Sequence, residues 1–255
     1  MAIDGRPLIS GAGIAGLTLA ICLKEYGEDP VVVEQSPEQP DQGYMMDFYG
    51  SGWDVADRMG LVDKLRALRY PIDKLQFVNS EGKPYTSVPI KRLKRALNGK
   101  YVYVRRPDLL RILYERAKAL GVEVRFGTEV TDLRERVTHV DVMFDDSSTG
   151  EYALVFGADG VHSGIRQVMF GDESQFARFL GAYVAAFHVE DHDLPFRRTA
   201  QIHEEPNRVA FYYPLSERSL DATFVFRLDE VDVPPDHQLS FVRRAFKGAG
   251  WIAEA

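Results

Sequence analysis

The sequence predicts an α/β fold in which a parallel sheet near the N-terminus is joined to a mainly antiparallel sheet in the second half of the chain. Two observations predict it. The first 34 residues contain a short apolar strand, a glycine-rich loop, an apolar helix and a valine-rich strand, in the order of a parallel βαβ unit. Residues 179–228 contain several strand-like segments separated by turns.

Composition places the chain among ordinary globular proteins and excludes several classes. Of its 255 residues 45% are hydrophobic, enough for a core, and the net charge of −7 argues against a general nucleic-acid-binding protein. The single cysteine, Cys22, excludes an internal disulfide framework and a cysteine-based zinc cluster. No apolar run approaches the ~20 residues of a membrane span. The N-terminus lacks the pattern of a signal peptide, so we expect a cytoplasmic protein.

The loop of the βαβ unit has the sequence Gly-Ala-Gly-Ile-Ala-Gly and covers residues 11–16, here called the glycine loop. Each glycine has a physical reason. Gly11 allows the tight turn, Gly13 lets the backbone approach a pyrophosphate, and Gly16 lets helix and strand pack closely. The helix that follows offers free N–H groups and a dipole that favour phosphate at its start.

An acidic residue ends the second strand of the unit. Val31–Val33 is β-branched, suits a parallel strand covered on both faces, and runs into Glu34. A carboxylate about 20 residues after the glycines accepts ribose hydroxyls and disfavours a 2′-phosphate. A glycine motif alone is often only a turn, but strand, helix and acid are all in place here. The predicted dinucleotide-binding residues of this Rossmann-like unit are Gly11, Ala12, Gly13, Ala15, Gly16 and Glu34.

The middle of the chain interrupts a simple βαβ repeat. Residues 54–68 have helical spacing, although Gly60 argues against one unbroken helix. Residues 75–78 and 85–90 are typical of a β-hairpin with a glycine-containing turn.

A basic stretch over residues 91–106 is interpreted mainly as a solvated face. Arg105 and Arg106 differ, because they close a strand-like segment and precede Pro107, a favourable first residue for the helix predicted over 107–120. A guanidinium at this junction is able to reach a phosphate bidentately.

Strand-like segments follow at short intervals. We expect strands at 122–126, 137–144 and 152–156, with a meander that begins near Val130 and a turn over 145–150. The last of these strands runs into a second motif at residues 157–166, Gly-Ala-Asp-Gly-Val-His-Ser-Gly-Ile-Arg.

With the glycine loop, Arg106 and residues 157–166, the sequence resembles the FAD-dependent class A aromatic monooxygenases, the family of para-hydroxybenzoate hydroxylase and the tetracycline-inactivating oxygenases. Gly-Ala-Asp-Gly-x-x-Ser-x-x-Arg is the second fingerprint of that family. The resemblance implies a Rossmann-like FAD-binding domain of parallel sheet and β-meander, with an inserted, mainly antiparallel substrate domain. It also implies FAD as cofactor, NAD(P)H as transient reductant and a small aromatic substrate.

The resemblance implies roles for individual residues. The glycine loop would cradle the FAD pyrophosphate, and Glu34 would hold the adenosine ribose. Arg106 matches the family's Arg-x-x-Leu helix start and would contact FAD. Asp159 would lie near the pyrophosphate. The alternative interpretation is that Asp159 is only a turn residue in an Asp-Gly pair. Asp47 falls where related enzymes place an acid close to the flavin, and no catalytic side chain is assigned.

The last part of the chain matches the family's substrate domain. We expect strands at 179–189, 199–203, 208–213 and 222–228, then an amphipathic helix over 239–249. Aromatic side chains on these strands fill a core or face an aromatic substrate: Tyr183, Phe211, Tyr212 and Tyr213.

A metal site near the first of these strands is the alternative that we do not favour. His188, His192 and His203 offer imidazoles, and Asp191 and Asp193 lie nearby. The histidines occupy a strand end and a loop, and no further ligand cluster supports them. The prediction is therefore that the chain binds no metal.

The family's third fingerprint, Gly-Asp-Ala-Ala-His, is not found in the sequence. The expected fold is therefore C-terminally incomplete, with FAD held by its adenosine end. A C-terminal partner chain or a second copy of the chain would cover the open sheet. The expected FAD-binding domain is 1–72 with 101–172, and the expected partial substrate domain is 73–100 with 173–255.

Three functions follow from these patterns. The first is a monooxygenase acting on an aromatic or polyketide-like small molecule, or the N-terminal portion of one. The second is a truncated, inactive homologue acting at most as a nucleotide-binding or interaction module. The third is a simple NAD-dependent dehydrogenase, which the first fifty residues allow but the Arg106 and Asp159 motifs do not favour.

Overall fold

A computed structural model describes residues 5–41, 43–68, 70–190, 194, 196–228 and 237–250. The strands in this part of the chain are β1 (Pro7–Ser10), β2 (Val31–Glu34), β3 (Met45–Tyr49), β4 (Lys74–Val78), β5 (Pro84–Pro89), β6 (Tyr101–Arg105), β7 (Glu123–Phe126), β8 (Val130–Glu135), β9 (Val140–Phe144), β10 (Thr149–Tyr152), β11 (Leu154–Gly157), β12 (Tyr183–Val189), β13 (Thr199–Glu205), β14 (Arg208–Pro214) and β15 (Leu220–Phe226). The helices are α1 (Ile14–Glu25), α2 (Ser51–Arg58), α3 (Val62–Ala67), α4 (Ile90–Ala96), α5 (Arg106–Ala119), α6 (Gly164–Phe170) and α7 (Gln238–Phe246). None of these helices has the length and apolar character that a bilayer crossing requires.

The chain divides into two compact units, each made of two segments. Unit 1 comprises residues 1–41 and 107–178, and unit 2 comprises residues 42–106 and 179–255. The two units are defined by contacts within the chain, whereas the predicted cofactor and substrate domains are defined by function. The predicted domain bounds therefore stay a prediction.

Unit 1 is built on a four-stranded parallel sheet in the order β11-β1-β2-β7. The central strand β1 pairs Leu8 with Val31 on one side and with Val155 on the other. Leu8 and Val31 are fully buried, as expected for parallel strands covered on both faces. Helix α1 buries Leu17 and Ile21. The predicted Rossmann-like parallel sheet is thus confirmed.

An antiparallel meander, β8-β9-β10, completes unit 1. The single strand expected at 152–156 is wrong, because β10 and β11 are separate strands on either side of Ala153. The Ala153 N–H donates to the Arg6 carbonyl at 3.0 Å, which begins the pairing of β11 with β1. Tyr152 instead packs edge-on against Phe144 in the meander core. The turn also ends earlier than expected, since β10 begins at Thr149.

Unit 2 contains a six-stranded sheet in the order β12-β15-β14-β13-β4-β5, in which only the β4–β13 pair is parallel. One face of this sheet packs against α7, where Phe224 and Phe226 meet Phe241 and Phe246. The separate antiparallel pair β3–β6 supplies side chains to a second core that includes Tyr213 of β14. The expected hairpin and the expected mainly antiparallel sheet are both present.

A glycine divides the helix that residues 54–68 predict. α2 ends at Arg58 and α3 begins at Val62, with Gly60 between them at φ +68°. The Leu61 N–H donates to the Ala56 carbonyl at 2.8 Å, which closes the end of α2 in the manner of a left-handed C-terminal cap.

The helix break provides a test with a matched control. Gly60→Ala places a side chain at a left-handed φ and should lower the free energy of unfolding by about 1 kcal/mol. Gly52→Ala, inside α2 and without a positive φ, should leave stability unchanged or raise it, because alanine favours helix and the new Cβ meets Phe48 no closer than 3.4 Å. Denaturant unfolding of both variants measures the difference, and equal effects would contradict the assigned break.

Candidate functional site

The glycine loop lies between β1 and α1 in unit 1 and touches the segment after β11. Gly11 has φ +106°, and a Cβ built there would lie 2.5 Å from the Ala158 carbonyl oxygen and 2.9 Å from the Cα of Asp159. A Cβ on Gly16 would lie 1.9 Å from the Gly11 carbonyl oxygen. Both positions therefore require glycine, and the first and second sequence motifs meet at this point.

Gly13 is glycine for a different reason. It caps α1 with an extended conformation at φ −75°, and a Cβ there would meet no atom within 4 Å. Space is therefore open in front of the backbone where α1 begins. The first turn of α1 holds no acidic residue, and Ala15 is exposed there. The helix start offers N–H groups and a positive dipole end to an anion.

Two backbone amides orient the carboxylate of Glu34 at the end of β2. Its Oε2 accepts from the Ala12 N–H at 2.9 Å, and its Oε1 accepts from the Ser36 N–H at 3.0 Å. A carboxylate has about four lone-pair positions, so each oxygen keeps capacity for one further donor. This arrangement matches a ligand that offers two neighbouring hydroxyls.

Asp159 follows β11, and only one of its two carboxylate oxygens has a hydrogen-bond partner among the described residues. Its Oδ2 accepts from the Ile165 N–H at 3.0 Å, at the start of α6, while its Oδ1 is buried and has no hydrogen-bond partner among the described residues. A buried carboxylate oxygen without a donor costs free energy. The arrangement suits a donor brought by a ligand or by water.

These groups share a pocket of about 130 Å³ at the carboxyl end of the parallel sheet. Its wall includes Gly11, Glu34 and Asp159, and also Glu129 and His162, which the sequence analysis did not identify. Glu129 could have been identified from its position shortly after β7, because ligands of open α/β sheets bind beyond the carboxyl ends of the strands.

Arg106 and Asp47 lie in unit 2, Asp47 on β3 and Arg106 directly after β6. Arg106 begins α5, and its N–H donates to the Tyr44 carbonyl at 2.9 Å. Asp47 lies opposite Tyr103 in the strand register and accepts a hydrogen bond from the Tyr101 hydroxyl. Burial, the Asp47 contact and neighbouring Tyr103 raise the pKa of Tyr101 strongly, and burial raises the pKa of Tyr103 to about 12. Both phenols therefore act as neutral hydrogen-bonding groups at physiological pH.

The histidines considered as metal ligands are not brought together. His188 pairs with Asp221 in the strand register, whereas His203 pairs with Ala210, whose side chain belongs to the core against α7. The two imidazoles therefore occupy opposite faces of the sheet. His192, Asp191 and Asp193 lie outside the described residues.

A different set of ligand atoms does converge on the meander. His139, Asp141 and Glu151 place ligand atoms within 4.8 Å of one another. Asp141 is already paired with Arg136 at 2.6 Å, and in the part of the chain that the structure describes no fourth ligand atom joins the three.

Comparison with known proteins identifies the family. A family model described as an FAD binding domain matches residues 6–240. The chain belongs to the FAD-binding domain family. The FAD-dependent monooxygenase asL4 of Sarocladium schorii is 33% identical over 190 residues, which cover 72% of this chain and 44% of that protein. The chain spans about half the length of the curated relatives that it matches.

Solved structures share the fold of this chain. The crystal structure of tetracycline destructase Tet(51) has a TM-score of 0.81 and 28% identity, and the match covers 98% of this chain and 65% of that chain. HpxO of Klebsiella pneumoniae, crystallised with FAD and uric acid, has a TM-score of 0.76 and 23% identity, with coverage of 98% and 64%. The predicted resemblance to FAD-dependent monooxygenases is confirmed.

The glycine contacts predict two unlike effects on stability. Gly16→Ala should lower the free energy of unfolding by about 3 kcal/mol, because its Cβ collides with a backbone carbonyl that cannot move without displacing the loop. Gly13→Ala should cost less than about 1 kcal/mol, since only the preference for glycine over alanine at a helix N-cap is lost. Thermal and denaturant unfolding of the two variants test this order, and the reverse order would contradict the loop geometry.

Proposed function

We propose that unit 1 binds FAD and that the chain provides the FAD-binding and substrate portion of a monooxygenase. The observation that carries the proposal is that three features lie together at the carboxyl end of the parallel sheet. They are the glycine loop, the oriented carboxylate of Glu34 and the oxygen of Asp159 that has no partner among the described residues. The family match and the names of the relatives support the same activity. A simple NAD-dependent dehydrogenase would explain the loop and Glu34 but not the family match.

The proposed role of each residue follows from its chemistry. The open backbone at Gly13 and the start of α1 would take the negatively charged pyrophosphate, with Ala12 and Ala15 in the same turn. The free lone pairs of Glu34 would accept the two ribose hydroxyls of the adenosine. Asp159 would accept from a hydroxyl of the cofactor or from a water that bridges to it, because a bare phosphate oxygen offers no proton.

FAD held by these residues would supply the chemistry with O₂ that places one oxygen atom on an organic substrate, with NAD(P)H as the proposed reductant. The chain's own work is to bind the adenosine end, to orient the cofactor and to form the substrate sheet. The proposed substrate is a small aromatic or polyketide-like molecule. The FAD contacts of Arg106 and Asp47 stay predictions, as do a covering partner chain or second copy and the cytoplasmic location.

Titration with FAD, followed by flavin fluorescence and absorbance, tests the proposal. Saturable one-to-one binding is the expected result, and no binding at high FAD concentration would contradict it. Glu34→Gln should weaken FAD affinity about tenfold, because the amide cannot accept from both backbone donors and the ribose at once. Glu135→Gln removes an exposed carboxylate from β8 and is the matched control, with unchanged affinity expected.

Gly13→Ala separates binding from folding. Its Cβ occupies the space through which a pyrophosphate would approach the backbone, so FAD affinity should fall more than tenfold while the unfolding curve shifts little. Isothermal titration of the folded variant measures the loss. Wild-type affinity in this variant would rule out the proposed pyrophosphate position.

Oxidation of NADH and NADPH in the presence of FAD tests the activity itself. Consumption should depend on O₂ and should be stimulated by one class within a panel of phenols, aromatic acids and polyketides. Oxidation that no aromatic or polyketide compound stimulates would contradict the proposed substrate class while leaving FAD binding intact.

A further inference from the structure

Unit 2 contains a cavity of about 440 Å³ that the roles above do not use. Its wall is formed by residues at the end of α3 and just after it, by Lys94 of α4, by Val102 and Tyr103 of β6, and by Arg198 just before β13. All of these residues belong to unit 2. We call this space the basic cavity, because three cationic side chains line it: Arg66, Lys94 and Arg198.

Buried apolar and aromatic side chains form the base of the basic cavity. Ile72 and Tyr103 are each 6% exposed and Val102 is 9% exposed, whereas the three cations are exposed and form the rim. The raised pKa of Tyr103 keeps its phenol neutral, so the base carries no charge. A base of this kind accommodates an apolar or flat body, because such a body is removed from water there.

The rim has a local excess of positive charge. One carboxylate in the wall, Asp73, opposes the three cations, which leaves the basic cavity with a net charge of +2. The chain as a whole carries −7, so this excess is local. The hydrogen bonds of Arg198, followed by the charges of Arg198 and Lys94, hold the pKa of Asp73 below its ordinary value. The two cations therefore act on the same point of the rim, and Asp73 is ionised at neutral pH.

Much of the donor capacity of the three cations is unused. Arg198 donates to Asp73 from Nε at 2.6 Å and from Nη2 at 2.9 Å, and its Nη1 has no partner among the described residues. Arg66 lies 5.4 Å from the centre of the Trp53 ring, and the carboxylate oxygen that it contacts is 3.8 Å away, beyond hydrogen-bond distance. Lys94 has neither a hydrogen bond nor an ion pair in the part of the chain that the structure describes. The rim therefore offers donors to an anion.

The backbone of Arg198 is an independent observation. Its φ is +53°, in the left-handed region that disfavours arginine, whereas the other non-glycine residues with a positive φ in the described ranges are two asparagines and a serine. The Arg198 carbonyl accepts from the Asp73 N–H at 2.8 Å, so both backbone and side chain attach this arginine to the cavity wall. Strained backbone positions concentrate at ligand sites, where the surrounding structure holds them in place.

A second arginine–aspartate pair in unit 2 has a structural explanation that the rim lacks. Asp221 is 0% exposed and accepts from Arg105 Nε at 2.8 Å, and His188 Nδ1 lies 3.0 Å from its other oxygen. A carboxylate buried in this way is costly without a counter-ion, so the fold itself requires Arg105. Asp73 and Arg198 both have side chains that are 61% exposed, so water solvates either charge and burial does not require their pairing.

We propose that the basic cavity binds the phosphate of a phosphate monoester whose body is apolar or aromatic. Above a second pKa of about 6 this phosphate carries a charge of about −2, which matches the charge of the cavity. Guanidinium groups bind phosphate bidentately, and Lys94 adds a point charge. The body of the ligand would lie on Ile72 and Tyr103. The groups of the FAD proposal lie in unit 1, so this binding goes beyond the proposed function and does not depend on it.

Two sources offer the same chemical group, a free phosphate monoester and the 2′-phosphate of NADPH. Isothermal titration with phenyl phosphate at about pH 8, where the phosphate is doubly ionised, tests the shared chemistry. Phenyl sulfate has the same ring with a single negative charge, and inorganic phosphate has no ring. At physiological ionic strength we expect saturable one-to-one binding of phenyl phosphate, and about tenfold weaker binding of each of the other two probes.

Substitutions in the wall separate binding from folding. Lys94→Gln should weaken phenyl phosphate binding about fivefold. Lys91→Gln changes an exposed lysine of the same helix outside the cavity wall and is the matched control, with unchanged affinity expected. Arg198→Gly should weaken binding by more than about fivefold while the unfolding curve shifts little, because glycine accepts the positive φ.

Asp73→Asn should act in the opposite direction. It removes the negative charge from the wall and releases the donors of Arg198, so phenyl phosphate should bind about threefold more tightly. Damage to the fold does not produce a gain of affinity, so this variant distinguishes an anion site from a structural role of the same charges. Unchanged or weaker binding in Asp73→Asn would count against the site.

Four other results would overturn the proposal. They are no saturable binding of phenyl phosphate to the wild-type chain, equal affinity for phenyl sulfate, equal affinity for inorganic phosphate, and wild-type affinity in Lys94→Gln. A chain that binds phenyl phosphate through Lys94 but does not bind FAD would contradict only the FAD proposal, and the reverse would contradict only this one. Competition by NADP⁺ but not by NAD⁺ would assign the 2′-phosphate as the source, and competition by neither would assign free monoesters.

Discussion

The close approach of three backbone segments without intervening side chains is the constraint on which unit 1 depends. The Gly11 carbonyl lies where a Cβ of Gly16 would be, and the Ala158 carbonyl lies where a Cβ of Gly11 would be. Backbone hydrogen bonds tie this region to the sheet, since the Gly11 N–H donates to the Val33 carbonyl of β2 and the Ala158 N–H donates to the Ser10 carbonyl of β1. β1, α1 and the segment after β11 therefore meet at one corner, and every polar group of the candidate FAD site is placed relative to that corner.

Both units contain carboxylates that the fold orients through hydrogen bonds. Glu34 and Asp159 are oriented by backbone amides and keep free lone pairs, so their positions depend on the strand ends rather than on flexible partners. Asp221 is held by a guanidinium and orients an imidazole. In each case the fold satisfies part of the acceptor capacity and leaves part for a neighbour or a ligand. Partial satisfaction of this kind is costly to a fold and is therefore informative about function.

Much of the architecture could be predicted because it depends on local pattern. The Val31–Val33 run, the glycine loop and the spaced strands of the second half each carry their own signal, and all appear in the structure. Residues 152–156 could not be divided correctly, because Tyr152 packs on its near neighbour Phe144 in the meander, whereas Leu154 pairs with Pro7, which is distant in sequence. The basic stretch gave no sign that Arg105 would be paired with a buried carboxylate 116 residues away.

The sequence by itself determined the βαβ unit, the identity of its glycines and acid, and the family, because these depend on short-range spacing and on residue types that few other conformations require. Only the tertiary structure decided which polar groups share a site. Asp159 is brought beside Gly11 by the pairing of β1 with β11, and His188 is brought beside Asp221 by the pairing of β12 with β15. Arg105 reaches Asp221 from the separate β3–β6 pair. A hydrogen bond needs its partners within about 3 Å, and sequence spacing alone does not supply that distance between non-local strands.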